Sequence, residues 1–157
     1  SLLDIGVYPI FLALDVLGKP DQIDAVMTPA VTGVDEQCAM RFQYKNGAIA
    51  QLFCSFAANL ATGADIAGDQ GRIRFTHRFH GPTTTLEYYP GAVDTREVIP
   101  FEVVSGNGYE YEAGHVNECL QNNLKESPVL THQFTLLLME TLDVIRAKTG
   151  IKYPTDH

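Results

Sequence analysis

One stretch of this chain narrows its fold more than any other. From Val34 to Tyr44 apolar and polar residues alternate, with Cys38, Met40, Phe42 and Tyr44 on one parity and Gln37, Ala39, Arg41 and Gln43 on the other. Successive side chains of a strand point to opposite faces, so a period of two marks a strand with one covered face. Asn46-Gly47 follows at once, a pair that tight hairpins favour because their turn needs positive φ. The next strand, about Ala48 to Ala58, carries Leu52, Cys54 and Phe56 on one side and Ile49, Phe53 and Ala57 on the other. Neither side is strongly polar, so this strand is expected to be covered on both faces, one of them by another subunit.

The flanking segments supply the other elements. Leu3, Val7, Ile10, Leu14 and Leu17 recur at helical spacing, and Gly18 and Pro20 close that helix. Pro9 fits it only in the first turn or at a kink. Gln22 to Val31 reads as a strand that Pro29 confines to an edge or an end. Shorter strands follow at about Gly63–Gly68, Arg72–Thr76, Thr84–Tyr88 and Thr95–Pro100. A helix then starts at Asn107, with Glu110 three residues on, and carries the stripe Val116, Leu120 and Leu124. A last helix, capped near Thr131, presents Phe134, Leu137, Leu138, Leu142 and Ile145 and stops before Gly150. This order predicts an α+β fold: one large, mostly antiparallel, open-faced β-sheet with helices on one side, in two layers, its free face available for dimerisation.

Composition bounds the function. The 157 residues suit one domain. Eleven basic against nineteen acidic residues give a net charge of −8, which argues against a nucleic-acid partner. No apolar run approaches the ~20 residues of a membrane helix, and no secretory leader is evident. Cys38, Cys54 and Cys119 form no C-x-x-C pair and read as reduced core thiols of a cytoplasmic protein. His115 stands four residues before Cys119, with Glu118 between them. That spacing suits metal ligation, but an ordinary hydrogen-bonded histidine is the commoner outcome and no metal is expected. The abrupt apolar start, Ser1-Leu2-Leu3, reads as an inter-domain junction.

Asp4 and Tyr8 are spaced i, i+4, so they share a face if the turn is helical. A carboxylate beside a phenol can serve acid–base chemistry on an alcohol or carbonyl. Gly6 between them permits close approach of another backbone or a cofactor ring. On spacing alone, a helix-capping aspartate and an amphipathic core tyrosine account for the same pattern and are the commoner case.

LLDIGVYPI resembles the start of the C-terminal domain in the Gfo/Idh/MocA oxidoreductase family, whose motif has the form D-x-x-x-H or D-x-x-x-Y. With TGVDEQCAMRFQY, GYEYEAGHVNECL, LKESPV and IRAKTGIKYP, the chain is similar to the dimeric dihydrodiol dehydrogenase-like branch along essentially all its length. The resemblance implies that residues 1–157 are the C-terminal substrate-binding and dimerisation domain of an NAD- or NADP-dependent oxidoreductase. The cofactor would be held mainly by an N-terminal Rossmann domain not contained in this chain, and the domain alone would be inactive. Tyr8 would exchange the proton at the oxygen of a sugar, polyol or diol, and Asp4 would orient the reacting groups. The resemblance also implies a pocket aromatic in the loop Thr76–Pro82, where Phe79 and His80 qualify. Tyr109 is a further candidate for the substrate pocket, and a homodimer through the open sheet face is expected. The family's E-K-P lysine and any G-x-G-x-x-G are missing, and Gly63, Gly68 and Gly71 read as hairpin residues. Two other readings stand beside this one. One is a stand-alone ligand-binding or assembly module without catalytic activity; the other is an unrelated small α+β enzyme with a pocket lined by Phe42, Phe53 and His115.

Overall fold

In a computed structural model, which describes residues 1–82, 84–91, 95–101 and 106–153, the alternating stretch is the middle strand of a three-stranded antiparallel sheet. Its strands are β1 (Gln22–Pro29), β2 (Asp35–Gln43) and β3 (Ile49–Ser55). Gly47 turns the β2–β3 hairpin at φ +88°, and the Asn46 side-chain oxygen accepts the Ala48 N–H. Pro29 is the last residue of β1, which lies at a sheet edge.

Register converts the alternation into a core. Ile23, Phe42 and Ala50 form one row; Ala25, Met40 and Leu52 the next; Met27, Cys38 and Cys54 the third. Helix α1 (Val7–Leu17) packs against β3, and helix α3 (His132–Thr149) packs against β1 and against α1. Ile10, Ala13 and Leu14 of α1 and Leu142 and Ile145 of α3 are buried there with Cys38, Met40 and Phe42. Full burial of such side chains is worth about 1.5–3 kcal/mol each, the main force holding helices to sheet.

The helix ends follow their local chemistry. Residues 2–6 form a turn, so α1 begins later than its apolar spacing suggests and Pro9 falls in the first turn, where a missing N–H costs nothing. Gly18, at φ +74°, donates its N–H to the Leu14 carbonyl and ends α1. The Thr131 side chain accepts the Phe134 N–H, and Gly150, at φ +71°, closes α3.

The remaining strands, β4 (Ala64–Gly68), β5 (Gly71–Phe75), β6 (Leu86–Pro90) and β7 (Glu97–Ile99), form an antiparallel meander, followed by α2 (Tyr109–Gln121). The α+β class and the antiparallel pairing agree with the expectation. A single large sheet does not form, because the strands divide after β3. There the Ser55 hydroxyl accepts the N–H groups of Ala57 and Ala58, a local turn that takes the chain out of the ladder. The chain accordingly forms two compact units, one of Ser1–Asn59 with Pro128–His157, the other Leu60–Ser127. The start of α2 also differs from expectation. Gly108, at φ +90°, is its N-cap instead of Asn107, and Glu110 accepts the Gly108 N–H. Among the described residues no helix is long and apolar enough to cross a membrane.

Candidate functional site

Asp4 lies in the turn that leads into α1, and Tyr8 is the second residue of that helix. Both are exposed, Tyr8 at 42%, so Tyr8 is not the core residue that spacing alone favours, and Gly6 instead of Asp4 is the N-cap of α1. The turn is held from within: the Ser1 carbonyl accepts N–H groups from Asp4 (3.3 Å), Ile5 (3.0 Å) and Gly6 (3.0 Å). Gly6 does not offer space to a cofactor ring. A Cβ there would meet the Leu2 carbonyl at 2.6 Å and Cys54 Sγ at 3.0 Å, so the glycine lets this turn close onto β3.

A residue that alternation conceals anchors this turn. Asp35 opens β2, is 1% exposed, and sits beside a break in register where Pro29 pairs with Asp35 but Thr28 pairs with Gln37. The extra residue, Glu36, is a bulge that turns Asp35 off the outer face, where the parity of Gln37 and Arg41 would have put it. One carboxylate oxygen of Asp35 accepts the Ser1 hydroxyl (2.6 Å) and the Leu2 N–H; the other accepts the Tyr153 hydroxyl at 2.8 Å. The Asp35 carbonyl accepts from the Ser1 nitrogen at 2.7 Å. Burial opposes ionisation of this carboxylate, but the Ser1 ammonium 2.8 Å away, then the hydrogen bonds from the Ser1 hydroxyl, Leu2 and Tyr153, outweigh it and hold its pKa well below the usual carboxylate range. Burial and the neighbouring Asp35 carboxylate push Tyr153 upward, so it stays a protonated donor.

The other candidates belong to the second unit. Phe79 is half-buried, His80 is exposed, and their rings meet edge to face with centroids 5.2 Å apart. Partial burial and the adjacent Arg78 charge lower the His80 pKa, favouring the neutral ring. Thr62, at φ +42°, accepts the N–H groups of Arg78 and Phe79 through its hydroxyl and carbonyl, and Arg78 is itself at φ +43°. Left-handed backbone is unfavourable for threonine and arginine, and such strain concentrates at binding loops. Gly108 packs at the other end of the loop, where a Cβ would lie 3.6 Å from Pro82 Cδ, so the start of α2, with Tyr109 72% exposed, adjoins it. The structure thus groups Asp4 with Tyr8 in one unit, and Phe79 and His80 with Tyr109 in the other.

Several residues take other roles. His115 Nε2 shares a 2.7 Å hydrogen bond with Ser127 and lies 3.5 Å from Cys119 Sγ. Phe42 is fully buried on the core face of the first sheet while Phe53 is exposed on the opposite face, so these two do not line one pocket. Cys38 and Cys54 are buried, and burial drives the Cys38 thiol up to about 12; Cys119 is only half-buried. On the outer face of the first sheet Val26, Ile49 and Phe53 stay exposed, and a shallow concavity of ≈ 600 Å³ runs among Asp24, Val26, Ala39, Arg41, Gln51 and Phe53. Among the described residues of the first unit, none supplies the cover expected over β3 on that side. Gly68 and Gly71 face each other across the β4–β5 turn, and a Cβ on Gly71 would collide with the Tyr89 carbonyl. These glycines serve strand pairing, and among the described residues none forms a pyrophosphate cradle.

Helices on one face of an antiparallel sheet, with an exposed aspartate and tyrosine where the first helix begins, make the first unit a two-layer α+β arrangement. The family model described as the GFO/IDH/MocA C-terminal domain matches residues 1–74. Over that stretch, just under half of its length, the chain is similar to that family. It is 34% identical over 161 residues to a trans-1,2-dihydrobenzene-1,2-diol dehydrogenase from Bos taurus, covering 99% of this chain and 48% of the relative. The chain therefore spans about half the length of the curated relatives it matches. An aldose-aldose oxidoreductase from Caulobacter crescentus, solved with glycerol, superposes with a TM-score of 0.80 at 16% identity over 96% of this chain and 45% of that one. A 3-ketoreductase from Actinomadura kijaniata, solved with TDP-benzene and NADP in an open conformation, gives 0.78 at 20% identity over 95% and 47%. At these identities the two structures establish the fold.

Proposed function

We propose that this chain is the C-terminal, substrate-binding domain of a nicotinamide-dependent oxidoreductase acting on a sugar, polyol or diol. What supports the reading most is the exposed Asp4–Tyr8 pair at the start of α1, in a chain aligned over 99% of its length with a diol dehydrogenase. The cofactor, when bound, supplies the hydride chemistry. The described residues of this chain do not fit it, since the glycine-rich stretch Gly63–Gly71 is the β4–β5 hairpin and no helix follows it, so its binding is assigned to another domain.

This chain's part is proton handling and substrate orientation. The Tyr8 phenol gives its proton to the substrate oxygen in the reducing direction and recovers one in the oxidising direction; Asp4 orients the reacting groups from the same turn. His80, Phe79 and Tyr109 are assigned to the substrate, the aromatic faces suiting the apolar side of a sugar or diol ring. In an enzyme carrying this chain behind a dinucleotide-binding domain, Tyr8→Phe should lower turnover by about 10²–10⁴-fold. Full turnover in that variant would sink the assignment, as would NAD(P)H oxidation by residues 1–157 alone.

The exposed outer face of the first sheet supports the second element of the proposal, a homodimer. Val26, Ile49 and Phe53 on that face would be covered by the same face of a second copy, burying above ~1,000 Å². Light scattering should give twice the monomer mass, and Phe53→Glu should return it to the monomer value; a monomeric parent chain would remove this part of the reading.

A further inference from the structure

We propose that Asp35 is the positioning residue of the Asp4–Tyr8 turn, and that Tyr153, at the far end of the chain, completes its clamp by donating to the same carboxylate. The inference rests on the reading of Asp4 and Tyr8 as the reactive pair and adds to it what holds that pair in place. A connected path links the two. Asp35 accepts from the Ser1 hydroxyl and the Leu2 N–H; the Ser1 carbonyl in turn accepts from Asp4, Ile5 and Gly6; Gly6 is the N-cap of α1, two residues before Tyr8. Leu2 is fully buried and Gly6 packs on Leu2 and Cys54, so the turn has no slack on its inner side.

The choice of residue matters. An ionised carboxylate is acceptor-only with two oxygens, so it can take Ser1 and Leu2 on one and Tyr153 on the other. Placing that charge at 1% exposure is costly unless it is well satisfied. A turn that needed only filling would be served as well by an apolar side chain. The bulge at Glu36 exists on the same account, since without it Asp35 would face outward. Tyr153, 118 residues from Asp35, lies on the segment that follows α3, and the Arg146 guanidinium sits 5.0 Å over its ring. The clamp therefore ties β2, the first turn and the C-terminal segment to one carboxylate, and small displacements of reacting groups carry large rate penalties.

Amide hydrogen exchange in this chain tests the clamp directly. In Tyr153→Phe, and more strongly in Asp35→Asn, the amides of Asp4, Ile5 and Gly6 should exchange at least about tenfold faster, with those at the centre of β2 unchanged. In the two-domain enzyme the same variants should lower kcat about tenfold or more while leaving KM for the cofactor unchanged. Exchange at those three amides within about twofold of the parent in both variants would overturn the clamp. So would faster exchange with kcat unchanged, or a uniform loss of protection across the first unit in Tyr153→Phe. The exchange readout does not involve the Tyr8 hydroxyl. A fully active Tyr8→Phe enzyme would refute the reactive role of Tyr8, and faster exchange beside it would still establish Asp35 as the anchor of the turn.

Discussion

The two units of the chain are stabilised in different ways. All twelve buried apolar residues among those described, from Leu2 to Ile145, lie in the first unit, where two helices cover one face of a three-stranded sheet. In the second unit the one buried residue among those described is Glu87, which accepts from Arg96 (2.9 Å) and from the Tyr89 hydroxyl (2.8 Å). Helix α2 buries no side chain there, and Val116, Leu120 and Leu124 remain exposed. The second unit is held by strand pairing, by Arg72 stacked on Tyr89 and by half-buried residues such as Ile73 and Phe75. Burial gives the first unit the stiffness that a fixed Asp4–Tyr8 turn needs. The second unit, with fewer buried contacts, has the character of a loop-bearing element of lower local stability.

The largest effect should come from removing core volume. Phe42→Ala empties a fully buried position and should cost about 3–5 kcal/mol, a large share of the total stability of a typical domain. Ile73→Ala, at a half-buried position in β5, should cost well under half of that, since less apolar area leaves water. Denaturant titration of both variants reads the difference. Equal losses would show that the meander owns a core as firm as that of the first sheet.

Cysteine reactivity sharpens the same contrast at intermediate scale. Cys38 is buried, and burial, then the charges of Cys54 and Asp35, push its thiol up to about 12; Cys119 is half-buried on α2. Because the thiolate is the reacting form, Cys38 at pH 8 should alkylate about 10³-fold more slowly than a free thiol, and more slowly still for lack of access. Iodoacetamide labelling followed by mass spectrometry should find Cys119 modified first. Labelling of Cys38 as fast as Cys119 would mean that the first unit opens as readily as the second.

How much of this was legible depended on whether the deciding interaction was local. The alternation of Cys38, Met40 and Phe42, the Asn46-Gly47 turn and the Thr131 cap rest on neighbours in sequence, and their elements appear within a few residues of expectation. The division into two sheets was not legible, since alternation identifies a strand but not its partner, and the Ser55 turn that ends β3 is a side-chain event. The stripe Val116, Leu120 and Leu124 correctly marked a helix but gave no measure of its burial, which depends on what packs against it. Asp4 and Tyr8 were visible as a motif. Asp35 was hidden by a bulge that reverses its parity, and Tyr153 by the 118 positions between them. The one available signal was an acidic residue standing two places before a strand's polar parity resumes, in a segment otherwise destined for the core.

The smallest effect tests strain, and it should have the opposite sign in a chain where most substitutions destabilise. Arg78 holds φ +43° in the loop that carries Phe79 and His80, and its N–H bonds to the Thr62 hydroxyl at 3.3 Å through the backbone alone. Glycine adopts that conformation without the Cβ clash and keeps the N–H, so Arg78→Gly relieves about 1–2 kcal/mol of left-handed strain. The flexibility that glycine adds to the unfolded chain takes back about 0.5–1 kcal/mol. The net gain, at most about 1.5 kcal/mol, should appear as slower exchange at the Phe79 and Gly81 amides, with β2 unaffected. Binding should respond in the other direction if strain presets the loop for a substrate ring, with a weaker KM for the sugar or diol in the more stable variant. A variant that stabilises the loop and leaves KM alone would show that the strain in the second unit is a by-product of loop closure and separate from recognition.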